Sequence, residues 1–289
     1  MANLNNIFIT GGTGQQGGAV ARSLINDGLH VKILTRHPDS AKALELKQKG
    51  AKIIKGSFHD FDTIAENLKG SDGLFLMSTP FESGIQGEID QAKRLVDLAA
   101  NISIPFLLFT SVVDADKQTG IPHFDSKFEI EKHIKSKNLN HSIIAPAYFY
   151  ENFFSPFVLP GLKNGFFAQA LSASKKLQSI SVETIGNFAA YIFEHPDTFN
   201  GKRINIASDE LNGTEYSQLL TRKSGKTIQY QEIPLAEIRK NSEDMAKMYE
   251  WFENVGYSVN INDLKLQYPQ VNWITFNDWL EKQDFSILN

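Results

Sequence analysis

Short apolar runs and longer helical periods alternate through the first half of the chain. Ile7-Phe8-Ile9-Thr10 is a short apolar strand. From Gln15 to Asn26, Ala19, Val20, Leu24 and Ile25 fall at helical spacing, and Asp27-Gly28 closes that helix. His30 to Thr35 alternates as a strand, Ser40 to Lys49 is helical with Gly50 as its stop, and Ala51 to Lys55 is a third strand. Asp60 or Asp62 caps a short helix ending near Gly70, and Gly73 to Met77 is a fourth strand. Between Ile85 and Asn101, the residues Ile85, Ile89, Ala92, Leu95, Val96 and Ala99 share one helical face. Pro105 to Thr110, Phe124 to Lys137 and His141 to Ala145 continue as strand, helix, strand. Strands alternating with helices predict a parallel, doubly wound sheet covered on both faces.

After about residue 150 the pattern changes. Glu151 to Ala173 is rich in aromatics and broken by Pro156, Pro160, Gly161 and Gly165. Val182 to Glu194, Thr214 to Ser224 and Leu235 to Phe252 read as helices, and Arg203 to Ala207 as a strand able to rejoin the sheet. The division expected is a nucleotide-binding domain over 1–152, with 182–207 returning to it. A smaller, interleaved C-terminal domain takes 153–181 and 208–289, on the substrate or partner side of a cleft.

Composition narrows the classes. The 289 residues are 42% hydrophobic and 21% charged, as in ordinary globular chains, and contain no cysteine. Disulfide frameworks, thiolate metal sites and cysteine nucleophiles are thereby excluded. A formal charge of −4 offers no general attraction to nucleic acid or an anionic membrane. Seven scattered histidines show no metal-ligand spacing, so no metal site is expected. No apolar run approaches the ~20 residues of a membrane span, and Met-Ala-Asn-Leu-Asn-Asn lacks the basic and apolar regions of a signal peptide. The expectation is a soluble cytoplasmic protein, monomer or homodimer.

The strongest chemical signal is Thr10-Gly11-Gly12-Thr13-Gly14-Gln15-Gln16-Gly17-Gly18, between the first strand and the first helix. In such a turn the first glycine permits the tight bend, the second a close approach of backbone to pyrophosphate, and the third close helix–strand packing. The helix N-terminus presents N–H groups to the phosphates. At the end of the second strand, where an NAD site places a carboxylate, the chain reads Thr35-Arg36-His37-Pro38. Arg36, assisted by Lys42, suits a 2′-phosphate, so NADP(H) is the expected cofactor. Phe58 either flanks the adenine or belongs to the local core, with Asp60 then a helix cap. Ser78-Thr79-Pro80 after the fourth strand, with Pro146, Tyr148 and Phe149 after the sixth, complete the candidate cofactor contacts.

The spacing Gly11-x-x-Gly14-x-x-Gly17 resembles that of extended and atypical short-chain dehydrogenases/reductases, and the resemblance implies a Tyr-x-x-x-Lys pair on one helical face and a Ser or Thr after the fifth strand. Here Ser111 and Lys127 occupy the serine and lysine places, but His123 stands four residues before the lysine. The candidate catalytic set is therefore Lys127, Ser111 and His123. Tyr148 and Tyr150 are other possible proton donors, or cleft-lining or core aromatics.

The chain resembles the NmrA-like family of atypical short-chain dehydrogenases/reductases. The resemblance rests on the glycine segment, on Thr35-Arg36-His37-Pro38, and on His123-Phe124-Asp125-Ser126-Lys127. It extends to Pro146-Ala147-Tyr148-Phe149-Tyr150-Glu151-Asn152, Asp278-Trp279-Leu280 and Asp284-Phe285. It implies a Rossmann domain with a smaller interleaved domain and NADP binding. Some members are redox-sensing regulators that bind partner proteins, and others resemble quinone or double-bond reductases. The chain departs at Ser57, where many relatives carry Asp, and has an extra residue around Tyr148-Phe149-Tyr150. Two functions follow as expectations. The first is an NADP(H)-sensing regulator with weak or no turnover, acting on a protein partner. The alternative is an NADPH-dependent reductase of quinones or similar small electrophiles, with an aromatic entrance from Phe81, Tyr148, Phe149, Phe153 and Phe154. Direct nucleic-acid binding is not expected, because no basic stripe or recognition helix is evident.

Overall fold

The computed structural model describes residues 4–288; the expectation drawn from Met1-Ala2-Asn3 lies outside them. The first half runs β1 (Asn6–Ile9), α1 (Gln15–Asn26), β2 (His30–Thr35), α2 (Ala41–Gln48), β3 (Lys52–Lys55), α3 (Phe61–Leu68) and β4 (Gly73–Leu76). It continues with α4 (Pro80–Asn101), β5 (Phe106–Thr110), α5 (Pro122–Lys135), β6 (His141–Pro146) and β7 (Tyr148–Phe149). The remainder comprises α6 (Leu159–Lys163), β8 (Phe166–Gln169), β9 (Lys176–Ile180), α7 (Val182–Glu194), α8 (Pro196–Phe199) and β10 (Arg203–Ile206). It closes with β11 (Asp209–Asn212), α9 (Gly213–Ser224), β12 (Gln229–Glu232), α10 (Leu235–Asn241), α11 (Glu243–Asn254), α12 (Ile261–Gln267) and α13 (Phe276–Glu281).

Seven strands form one parallel sheet in the order β10-β6-β5-β4-β1-β2-β3. This is the doubly wound order, with the reversal between β1 and β4. Alternation along β1 buries side chains on both faces. Ile7 and Ile9 pack with α1 and α7, whereas Phe8 packs with α3, α4 and α5. Two helices approach closely on the first face: a Cβ at Gly186 of α7 would lie 2.7 Å from the Ala19 carbonyl oxygen of α1. β10 lies parallel to β6 at the sheet edge, with Arg203 opposite Ile143.

Beyond β6 the chain builds two small sheets, β11-β9-β7 and β12-β8. Four-residue polar strands such as Asp209–Asn212 carry no apolar alternation, so their pattern gave no signal. An aromatic cluster of Tyr150, Phe153, Phe167, Tyr216, Phe276 and Trp279 stabilises this part. The single helix expected over Leu235 to Phe252 is two helices. Ser242 is extended (φ −158°, ψ 113°) and its hydroxyl caps α11 by accepting from the Met245 N–H. The cap satisfies a donor that a continuous helix would not free, and helical periodicity alone does not detect it. Among the described residues, no helix is long and apolar enough to cross a membrane.

Candidate functional site

The turn from β1 into α1 has the backbone that its glycines imply. Gly11 sits at φ +62°, a conformation that L side chains rarely adopt. A Cβ at Gly17 would fall 2.3 Å from the Gly11 carbonyl oxygen, so the helix can lie this close to the turn only without a side chain there. Gly14 is the N-cap of α1 and offers no side-chain acceptor, and it is exposed together with Gln15. The helix therefore starts at an exposed position without a side-chain cap, as an anion site would require. Gln16 is turned inward, its amide oxygen accepting from Thr110 Oγ at 2.7 Å.

A cleft of about 350 Å³ opens at the carboxyl ends of β1, β2, β3 and β4. Gly11, Thr13, Gly14, Arg36, Phe58, Ser78 and Thr79 line it. Gln15, Gln16, Gly17, Pro80, Lys127, Pro146, Tyr148 and Phe149 are not among its lining residues. Thr13 and Thr35 face each other across the turn at 3.3 Å between hydroxyls. Phe58 is half-buried: it packs on the core beneath β2 and β3 and also lines the cleft. Asp60 stands at the N-cap of α3, but its carboxylate accepts from the Ser57 N–H and hydroxyl, each at 2.8 Å, and gives α3 no side-chain cap bond. Ser57 is thus used within its own loop. Arg36 reaches across the cleft mouth to Glu82, Nη to Oε at 2.7 Å. Sequence spacing could not foresee that partner, which comes from the start of α4.

The three catalytic candidates are each held by a carboxylate of the protein. Lys127, on α5, donates to the Ser78 carbonyl at 2.6 Å and lies 2.7 Å from Glu88 Oε1. Glu88 is fully buried and also accepts from the Ser78 hydroxyl at 2.9 Å and the Ser126 hydroxyl at 2.6 Å. Ser111 is buried, and its hydroxyl donates to Glu131 at 2.5 Å. Glu131, one turn after Lys127, is itself paired to Arg203 of β10 at 2.9 Å. Ser111 thus ties β5 to α5 and, through Glu131, to β10. His123 places Nδ1 at 2.8 Å from both oxygens of Asp244, at the start of α11. Burial opposes ionisation of Asp244, but the bonds from His123 outweigh it and hold the carboxyl below its ordinary value. The ring of Phe81 lies 6.1 Å from that of His123.

Sequence reasoning passed over Glu88, Glu131 and Asp244. A signal existed for the first two. Glu88 lies in register with Ala92, Leu95 and Ala99 on the buried face of α4, and Glu131 between Ile130 and Ile134. An acid on an apolar stripe must find a partner, because an unpaired buried charge is costly. Asp244 had no such signal.

The aromatic entrance is smaller than expected. Phe153 is buried among Phe167, Tyr216 and Phe276, Phe154 stacks on Trp279, and Phe149 packs on the main core beneath the sheet. Successive residues of β7 point to opposite faces, so Tyr148 turns away from Phe149. Tyr148 is half-buried between the two C-terminal aromatic clusters, where burial raises its phenol pKa. Tyr150 is fully buried with its hydroxyl donating to the Ile274 carbonyl at 3.3 Å, and burial raises its pKa steeply. Tyr150 is therefore packed into the aromatic core of the C-terminal part. Pro146 is buried, and its carbonyl accepts from the Val113 N–H at 3.1 Å. Trp279 of the C-terminal motif donates to Glu151 at 3.1 Å, and burial pushes that carboxyl up to about 7.

The seven-stranded parallel sheet, the glycine turn and the cleft at the strand ends define an α/β protein of Rossmann type. The chain belongs to the NmrA-like family, whose sequence profile matches residues 4–280. It is similar to an NmrA-like family domain-containing protein of Dictyostelium discoideum, 26% identical over 97% of this chain and 98% of that one. Its fold is similar to that of the Escherichia coli NADPH-dependent quinone oxidoreductase QOR2 in complex with NADPH (TM-score 0.78, 22% identity, 95% of this chain and 98% of that one). It is also similar to NmrA, a negative transcriptional regulator, in complex with NADP (TM-score 0.77, 16% identity, 97% and 95%).

Proposed function

We propose that this protein binds NADP(H) in the cleft beside α1 and acts as a redox-sensing regulator with little or no turnover. The uncapped start of α1, with Gly11, Thr13, Gly14 and the backbone of Gln15 and Gln16, would hold the pyrophosphate. Arg36 would hold the 2′-phosphate, Phe58 the adenine, and Lys127, fixed against Ser78, the nicotinamide ribose. When bound, the reduced cofactor supplies a hydride. One observation carries the regulatory reading: Ser111, Lys127 and His123 are engaged by Glu131, Glu88 and Asp244. The groups with which a carbonyl reductase would orient and protonate its substrate are thus committed internally. The likeness in fold to NmrA is in keeping with this reading.

The second reading, an NADPH-dependent reductase of quinones or similar electrophiles, is favoured by the His123–Asp244 pair. Asp244 holds Nδ1 and fixes the ring, so Nε2 is the nitrogen that would act as general acid. A quinone that accepts a hydride needs one proton, from His123 or water, to leave as the hydroquinone.

The test is NADPH oxidation by purified protein against quinones and aldehydes, alongside titrations with NADPH and NADP. Binding without oxidation of either class, and with a partner protein whose affinity differs between the apo and bound forms, supports the regulator. Quinone turnover of order 10 s⁻¹ that falls in His123→Phe supports the reductase. Aldehyde reduction at that rate overturns the account of the committed groups.

A further inference from the structure

The end of β2 lacks the carboxylate that holds a ribose 2′-hydroxyl in NAD sites, yet the cleft contains one. Among the described residues lining the cleft, Glu82 is the single carboxylate and Arg36 the single arginine or lysine. They are paired with each other at 2.7 Å. Glu82 arrives from a different element. Thr79 caps the start of α4 by accepting from the Phe81 N–H, and Pro80 opens the first turn. Gly84, at φ 75° and ψ 173°, then breaks the helix before its regular run begins. The four residues Pro80 to Ser83 are thus a separate turn laid over the cleft. Nothing crowds a Cβ at Gly84, so its glycine serves the backbone conformation alone.

We infer that Glu82 is the residue that sets the choice between NAD(H) and NADP(H). The inference rests on the proposal that the cleft binds a nicotinamide dinucleotide. A guanidinium presents the same fork to a carboxylate and to a phosphate. A 2′-phosphate at Arg36 must share or displace Glu82, and the two anions repel. A 2′-hydroxyl can instead donate to Glu82, which then does the work usually given to an acid at the end of β2. Both side chains of the pair are about half exposed (55% and 54%), so water screens their attraction and a doubly charged phosphate can compete with it. Arg36 therefore favours NADP(H), Glu82 opposes it, and the native protein discriminates less than Arg36 alone would make it.

The test is fluorescence titration of wild type, Glu82→Gln and Arg36→Ala with NADPH and with NADH. Glu82→Gln should raise the ratio of NADPH to NADH affinity by about three- to tenfold, the scale of releasing an exposed ion pair and removing one repulsion. Arg36→Ala should lower the same ratio. Thermal unfolding without nucleotide should change little in either variant, because both side chains are exposed. A ratio unchanged within twofold in Glu82→Gln, or equal gains for both nucleotides, overturns the inference while leaving dinucleotide binding intact. Failure of wild type to bind either nucleotide overturns the cofactor reading and this inference together.

Discussion

Replacing Glu88 by alanine would strand the Lys127 ammonium in its largely buried place beside the Ser78 carbonyl. The Lys127 side chain is only 12% exposed and Glu88 is fully buried. The same carboxylate is acceptor for Ser78 and Ser126, so the substitution removes three donors' partner at once. Breaking a buried pair from one side costs about 3–5 kcal/mol, because the remaining charge stays desolvated. For a chain of 289 residues the unfolding entropy is about 0.6 kcal/mol/K near 60 °C, which converts that cost to a fall in Tm of about 5–8 °C. Thermal and urea unfolding followed by circular dichroism would measure it. The companion variant is Glu88→Leu with Lys127→Met. Removing both charges together should cost at least about 1.5 kcal/mol less than the sum of the two single variants. A loss below about 1 kcal/mol in Glu88→Ala, or strict additivity in the double variant, would refute the view that Glu88 holds Lys127 in place.

Two further outcomes are expected. Glu151 ionises near 4.5 when unfolded and near 7 in the folded protein because it is buried, so between these values the folded state holds the extra proton. Stability must then fall as pH rises through that window, by at most about 3 kcal/mol, and Glu151→Gln, which keeps an acceptor for Trp279, should flatten the slope; an unchanged slope in pH-dependent urea unfolding counts against it. Gly17→Ala would gain up to about 1 kcal/mol in an ordinary helix interior, but here its Cβ meets the Gly11 carbonyl. Loss of stability together with weakened NADPH binding is expected, and a stabilised variant with full NADPH affinity would show that the close approach is dispensable.

The parallel sheet was legible because each of its first five strands is a short apolar run followed by a helix. Ile7-Phe8-Ile9 is apolar on both faces, as a strand covered by helices on each side must be. The glycine turn was legible for a similar reason: φ +62° at Gly11 and the contact at Gly17 admit one residue type, so geometry writes itself into the sequence. Lys127, Ser111 and His123 could be picked out by spacing within single elements, but their partners could not.

What the sequence alone determined, then, are the features encoded within a few consecutive residues: the strand–helix alternation, the turn into α1, and the inward face of α4 at Ala92, Leu95, Val96 and Ala99. The tertiary structure decided everything that depends on residues far apart in the chain. Glu82 meets Arg36 from 46 residues away, Glu88 meets Lys127 from another helix, and Asp244 reaches His123 across 121 residues. Local propensity carries no information about such pairs, because the energy that selects them is desolvation and charge pairing in the assembled fold. The small polar strands β11 and β12 are the same case in backbone form. Their hydrogen bonds exist only because β9 and β8 lie alongside.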